Sequence, residues 1–485
     1  MKLNEIYYGI KLSKDNVNIN GISENSKNIR KNYIFFSRKN KKLQEEYIEE
    51  AIKNGAILII HAKKDKLNIK KYETKCKFLE VEDINKSMSL VSKKFYKIKS
   101  KDFKIIGITG TNGKSTVSDY IAQLNKLKKN KVGLIGTLGN GVYPNLKNIA
   151  LTTPNIISIN KYISEFTKKN VSKIVIEVSS HGIKQRRTEG IIFDTVIFTN
   201  LTHDHMDYHK NMSNYYKTKL KLFTEYKSKK KIICIDNNYG KKIVDSIKNK
   251  KEIQTVSINN KEADFYTSNI IYFNNGIKFT IHSRYGTGEV TTKIYGEFAI
   301  INILTAIATL TTNKSNFIEL TNNISKLKSV NGRMNKYHRK GYPITFIDFA
   351  HTPEAAKLVI NSIRKHFPKK KVVTIFGCGG ERDNKKRKKM GKIISKISDE
   401  IIITNDNPRN ECQDKITKDI ILGIENKKKY EVILSRSAAI KKALKKSNFN
   451  KIVLILGKGH EKFQVIKNKK VKFCDRDKVI KAMYT

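Results

Sequence analysis

Cysteine is sparse in this chain: Cys76, Cys234, Cys378, Cys412 and Cys474 are odd in number, widely scattered and form no CxxC pair. That argues against a disulfide framework or a structural zinc site and fits a reducing compartment. Long apolar runs are missing too, since none approaches the roughly 18 residues that a membrane helix requires. The opening residues, MKLNEIYYGIKLSKDN, contain neither an apolar core nor a small-residue cleavage site, so the expectation is a cytoplasmic chain without membrane insertion. Proline is limited to six residues, and neither an internal repeat nor a Pro/Gly/Ser linker occurs, so domain boundaries must come from motifs. Acidic residues are outnumbered, 44 against 97 Lys and Arg, which gives a formal charge of +53.

Such a charge by itself would suggest a nucleic-acid or anionic-membrane partner. That reading requires basic residues gathered on one face or interleaved with aromatics. Lysine is instead spread along the whole length, beside abundant Asn and Ile. All three are encoded by AT-rich codons, so genome composition accounts for the surplus, and no nucleic-acid partner is expected.

What is present is an alternation of short apolar runs with helical spacing. In the first hundred residues YIFFS (33–37) and AILII (56–60) read as strands, with helical periodicity from Leu43 to Asn54. A second series begins at FKIIGITG and continues through KVGLIG, KIVIEVSS, DTVIFTN and KKIICID. A third comprises YPITFIDFAH, KVVTIFGCGG, EIIITNDNP and KIVLILGKGH. The pattern predicts an α/β chain of about three domains. These are a small N-terminal α/β domain over 1–102, a central P-loop-type domain with a mostly parallel, helix-covered sheet over 103–333, and a Rossmann-like domain over 334–485. In at least six places polar or glycine residues follow an apolar strand directly, which is where open parallel sheets hold ligands.

The loop GITGTNGKST (107–116) is the sharpest of these. Ile108 stands where a strict Walker A motif has its first glycine, but Gly110 and Gly113 followed by Lys114, Ser115 and Thr116 at a helix start still make a phosphate cradle. Lys114 would reach the β/γ-phosphates, and the Ser115 hydroxyl would be a Mg²⁺ ligand. Glu177 ends a strand where a carboxylate would hold the same metal. His203, Asp204, His205, Asp207 and His209 cluster beyond another strand, and six of the ten histidines (181, 203, 205, 209, 351 and 460) fall in strand-end loops. Carboxylate with a single imidazole suits Mg²⁺ rather than zinc.

TGTNGKST, EVSSHG, FTNLTHDHMDYH, DFAHTPEA, GCGGERDNKKRKKM, DNPRNE and GKGHE stand in the order and spacing of the Mur ligases, which this chain resembles over roughly residues 105–465. The likeness is greatest to the MurE branch. It implies an ATP-dependent amide-forming ligase of peptidoglycan precursor synthesis, working through an acyl phosphate, with ATP and two Mg²⁺ as cofactors. Gly110, Thr111, Asn112, Gly113, Lys114, Ser115, Thr116, Asn302, Arg333 and Asp348 are the implied ATP contacts. Ser115, Glu177, His205 and a carbamylated Lys219 are the implied metal ligands, and Lys114, Lys219 and His205 the catalytic set. Thr152, Thr153, Ser179, Gln185 and Arg187 match the segments that hold the UDP-MurNAc-dipeptide. Ser26 sits at the serine of the uridine-binding segment, with Asn25 and Lys27 in place of the usual Asp and Arg. Other departures are Ala299 for an asparagine, Phe349 for a tyrosine and Glu381 for an aspartate.

The resemblance is most discriminating at DNPRNE. Asp406, Asn407 and Arg409, with Arg387, Gly457 and Glu461, match a pocket for meso-diaminopimelate, whereas lysine-adding relatives lack the arginine. An Arg fork pairs bidentately with the distal carboxylate that lysine does not have, and Glu461 suits an ammonium group. The expected substrates are therefore UDP-MurNAc-L-Ala-D-Glu and meso-diaminopimelate, with a monomeric enzyme. DNPRNE and GKGHE speak against the sister ligases MurF and folylpolyglutamate synthase.

Overall fold

A computed structural model describes residues 17–38, 44–65, 67, 69–72, 74–99, 102–147, 151–381, 383–425, 430–467 and 469–484. Parts of two expectations, Leu43 in the first helix and Arg382 in GCGGERDNKKRKKM, lie outside them. The chain divides into two compact units: Met1–Gly107 with Asn130–Asp194 and Lys221–Lys229, and Ile108–Lys129 with Thr195–Leu220 and Lys230–Thr485.

The first unit opens with a four-stranded sheet, Gly21–Ser23, Tyr33–Ser37, Ala56–Ala62 and Lys77–Val81 in that order, every pairing parallel. The helix Gln44–Lys53 covers it, joining Ile48 and Ala51 to a core of Ile29, Phe35, Ile59 and Tyr72. Beyond it, Val132–Gly136 runs parallel to Lys173–Glu177. Both are buried along nearly their whole length, as parallel strands covered on both faces are. The helix Ile156–Thr167 starts where Asn155 Oδ1 accepts from the Ser158 amide at 2.8 Å.

The helix Lys114–Leu127 of the second unit follows the strand Lys104–Thr109 after the loop 110–113. Ser228–Cys234 pairs in parallel with Ile253–Val256, and the sheet then extends through antiparallel hairpins over Phe265–Phe273, Gly276–Ser283 and Gly286–Thr292. The almost wholly apolar helix Glu297–Leu310 is buried over most of its length. A six-stranded sheet completes the unit, in the order Asn335–Tyr337, Ile344–Asp348, Lys451–Leu456, Lys371–Phe376, Glu400–Ile403 and Tyr430–Val432. Only its first pairing is antiparallel. Pro353–His366, Lys385–Ile397 and Gln413–Ile421 pack on one face. Arg436–Ala443 and Asp475–Tyr484 pack on the other, so the arrangement is Rossmann-like. The last two helices are joined by a bidentate pair, Arg436 to Asp475, with no solvent exposure on either side. The mixed α/β fold matches the expected class. Among the described residues no helix is long and apolar enough to cross a membrane.

Candidate active site

Two glycines shape the phosphate-type loop. Gly110 has φ +153°, and a Cβ there would fall 1.9 Å from Thr199 Oγ1; Gly113, at φ +87°, begins the helix, and its Cβ would fall 2.7 Å from Asn302 Oδ1. Only glycine fits such positions. The loop is clamped from the neighbouring segment. Thr111 N donates to Asn200 O at 2.9 Å, Asn112 N to Asn200 Oδ1 at 2.9 Å, and Thr199 Oγ1 to Asn112 O at 2.6 Å. The Lys114 ammonium donates to the carbonyls of Gly110 and Thr111 at 2.8 and 2.9 Å. Ser115 and Thr116 lie buried in the first turn of the helix.

Lys219, on the helix Met212–Thr224, lies beneath the same loop. It is 1% exposed, donates to Gly110 O at 2.9 Å, and lies 4.8 Å from the centre of the Tyr215 ring. Burial, reinforced by the charge of Lys114, holds its ammonium well below the usual lysine range, against a smaller opposing effect of Asp204. Tyr215, which no motif singled out, bonds Thr111 Oγ1 through its hydroxyl at 3.1 Å and stacks on His209 at 4.8 Å. His205 has φ +56° and a half-exposed ring, and its amide donates to Asp204 Oδ1 at 2.8 Å.

Four of the five parallel strands of the six-stranded sheet deliver their following loops to one edge, where a cavity of about 240 Å³ opens. Asp406, Asn407, Arg409, Gly457 and Glu461 line it, together with Asp204 and His205. The structure thus brings together five of the six residues expected in the amino-acid pocket. Arg387 does not line this cavity. Its guanidinium has no exposure and is committed to Glu411 at 2.7 Å through both terminal nitrogens, to Asp419 at 2.9 Å and to Gly379 O at 3.2 Å. Glu411 is held down to about 2, chiefly by that arginine. Arg409 has φ +54° and donates to Gly380 O at 2.7 Å. Glu461 accepts from Asn407 Nδ2 at 2.9 Å.

Of the expected ATP contacts at this edge, Asp348 is buried and accepts from the amides of Met334 and Ala350 at 2.8 Å each. Burial raises its carboxyl despite Arg333 and those two amides. The Arg333 guanidinium lies 4.7 Å from the centre of the Phe349 ring, whose other neighbours are His351 and His460. His351 Nδ1 lies 2.9 Å from Phe349 O, and burial keeps the ring below its ordinary value. Asp383 and Lys386 also line the cavity; they fall within the motif GCGGERDNKKRKKM, but neither is among the expected site residues.

In the first unit Glu177 is 1% exposed and accepts from Thr137 N at 2.9 Å and Thr137 Oγ1 at 3.0 Å. Thr137 in turn lies 3.1 Å from Thr152 Oγ1. Thr153 Oγ1 donates to the Glu177 carbonyl at 2.8 Å and lies 3.0 Å from Ser179 Oγ, which caps the helix Ser180–Lys184. Arg187 reaches Thr153 O at 2.8 Å and grips Gln185 Oε1. These expected dipeptide-site residues therefore form one bonded cluster. Ser26 stands apart from it, buried against Glu50, on the wall of a cleft of about 1420 Å³ that Tyr33, Phe35, Tyr47 and Lys161 also line. Among the described residues no three His, Cys, Asp or Glu side chains converge as a metal cage.

The chain is similar to known proteins over most of its length. The Mur ligase middle domain model matches residues 108–310, and the Mur ligase glutamate ligase domain model matches 332–459. A UDP-N-acetylmuramoyl-L-alanyl-D-glutamate–2,6-diaminopimelate ligase from Wigglesworthia glossinidia brevipalpis is 43% identical over 96% of this chain and 95% of its own length. One of the same name from Buchnera aphidicola subsp. Schizaphis graminum is 38% identical over 95% and 94%. A solved structure of a ligase with that name superposes with a TM-score of 0.72 at 26% identity, covering 100% of this chain and 98% of the other. Fold and site together define an ATP-dependent ligase, built on a P-loop and a Rossmann-like sheet. The chain belongs to the Mur ligase family.

Proposed function

We propose that this chain is the ligase that joins meso-2,6-diaminopimelate to UDP-MurNAc-L-Ala-D-Glu, with hydrolysis of ATP, in the cytoplasm. The observation that carries it is the cavity in which Arg409, Asn407, Asp406 and Glu461 share a wall with Asp204 and His205. It offers a guanidinium and carboxylates to a zwitterionic amino-acid head, with Asp204 and His205 supplied by the segment that clamps the phosphate-type loop through Thr199 and Asn200. The named relatives support the same reading. In this reading residues 1–102 hold the uridine end, 103–333 the ATP and 334–485 the amino acid.

A carboxylate oxygen of the dipeptide attacks the γ-phosphorus and ADP departs, leaving an acyl phosphate. The amine of the incoming amino acid then attacks the acyl carbon, loses a proton, and inorganic phosphate leaves. Such a reaction needs positioning and neutralised charge rather than a protein nucleophile. Lys114 and the loop amides would hold the phosphates; Asn302, Arg333 and Asp348 would hold the rest of ATP.

Two Mg²⁺ would supply charge neutralisation at the phosphates, with Glu177, His205, Ser115 and Lys219 offered as ligands, an oxygen-rich set of the kind Mg²⁺ prefers. Lys219 fits this as a carbamate: a buried amine of depressed basicity is the nucleophile that CO₂ requires, and the carbamate is an anionic oxygen donor. Thr152, Thr153, Ser179, Gln185 and Arg187 would hold the dipeptide, and Ser26 the uridine.

The test is phosphate release from ATP with UDP-MurNAc-L-Ala-D-Glu plus meso-diaminopimelate, lysine or no amino acid. Release that depends on diaminopimelate supports the reading; equal rates with lysine would refute the role given to Arg409.

A further inference from the structure

Lys458 has no solvent exposure and does not line the amino-acid cavity, yet it touches two of the groups that do. Its ammonium donates to Glu461 Oε2 at 2.7 Å, to Phe463 O at 2.8 Å and to Asn407 Oδ1 at 3.1 Å. A lysine has three hydrogens to give, and each has an acceptor here.

We propose that Lys458 is a positioning residue that sets amino-acid recognition by fixing the carboxylate of Glu461 and the amide of Asn407; this rests on the function proposed above. An asparagine amide is nearly symmetric in shape, so only its partners decide which end faces a ligand. Here Oδ1 takes two donors, Lys458 Nζ and the Val465 amide at 2.9 Å, which turns Nδ2 toward Glu461. One Nδ2 hydrogen goes to Glu461 Oε2, and the other remains for a bound carboxylate or carbonyl. Glu461 Oε2 receives both Lys458 and Asn407, which directs Oε1 to an incoming ammonium. The wall therefore presents a donor and an acceptor in fixed alternation, the pattern that an α-amino-acid head demands.

Charge points the same way. Asp204, Asp207, Asp383, Asp406 and Glu461 all line the cavity, against Lys386 and Arg409. Without the Lys458 charge behind the wall, Glu461 would repel the neighbouring carboxylates and any carboxylate of the substrate. One side-chain and one backbone hydrogen bond extend the brace. Gln464 Nε2 donates to Asp406 O at 2.6 Å and Arg409 N to Val465 O at 3.0 Å, so the strand Phe463–Ile466 supports the whole Asp406–Arg409 turn from the side Lys458 occupies.

The experiment is steady-state phosphate release by full-length Lys458→Met and Lys458→Arg, with each of the three substrates varied in turn. For Lys458→Met the expected result is a KM for diaminopimelate raised at least tenfold, with the KM values for ATP and the nucleotide substrate within twofold of wild type. Lys458→Arg keeps the charge and should recover part of that loss. If both variants leave the KM for diaminopimelate unchanged, or raise all three KM values alike, the proposal is overturned. Should Lys458→Met fail to fold, Lys458→Gln, which keeps one donor, replaces it with the same criteria. Wild-type enzyme without any diaminopimelate-dependent release would instead sink the proposed function, which separates the two failures.

Discussion

The Lys219 ammonium donates to the carbonyl of Gly110 at 2.9 Å, so the glycine-rich turn and the buried amine share one hydrogen bond. The pair joins positions 110 and 219, which no local pattern connects. It places a side chain of depressed basicity against the loop to which the proposed function gives the phosphates.

Replacing Lys219 by alanine should reduce kcat by about 10²–10³, the usual cost of one preorganised electrostatic group. CO₂-free buffer should lower wild-type activity, with bicarbonate restoring it and a ¹³C-labelled carbamate carbon visible by NMR. Full activity of Lys219→Ala would remove this residue from the machinery.

Gly110→Ala should be far more damaging than Gly341→Ala. The added carbon meets Thr199 Oγ1 at 1.9 Å in the first case and nothing within 4 Å in the second, although both glycines have positive φ. Backbone strain of about 1–3 kcal/mol is common to both. The difference should therefore be read in nucleotide affinity, by titration of ADP, with Gly341→Ala binding as the wild type does.

Arg387 should behave as a brace rather than as a ligand contact. Arg387→Met leaves Glu411 and Asp419 without their buried partner and should cost about 3–5 kcal/mol, an upper figure because Asp419 is about a third exposed. Thermal melting would show this loss with diaminopimelate absent. An unchanged Tm with a selectively raised KM for diaminopimelate would return Arg387 to the pocket.

His366 links a strand end to a helix start, and its charge state should be felt in stability. Nδ1 lies 2.8 Å from Phe273 O, and the Gly296 amide donates to Nε2 at 3.2 Å, so the neutral ring satisfies both partners. Burial lowers its pKa from 6.5, with Lys336 adding to this and the Phe273 bond opposing it. Between 6.5 and the lower folded value the unfolded chain binds more protons, so stability falls as pH drops through 6.5. His351 and His460, lowered by the same cause, act in the same direction. The Tm of the wild type should fall from pH 7.5 to 5.5, and that of His366→Gln should fall less; parallel curves would exclude the ring.

The strands were legible wherever a short apolar run was continuous. KVVTIFGCGG became Lys371–Phe376, and KIVLILGKGH became Lys451–Leu456, each with its polar loop at the strand's carboxyl end. The hairpins over Phe265–Thr292 were not legible, because their exposed and buried residues mix and no motif borders them. Arg387 shows the opposite limit. Its position within a recognisable motif suggested a pocket residue, but its direction depends on Glu411 and Asp419, 24 and 32 positions away.

The sequence alone determined the class of element at each site, the glycines of the loop and the residue types gathered at strand ends, because these follow from local sterics and apolar burial. Only the tertiary structure decided which loops share a cavity, that Lys219 is buried under Gly110, and that Lys458 stands behind Glu461. Those facts depend on strand order and on desolvation by distant segments, and neither is encoded in any single stretch of the chain.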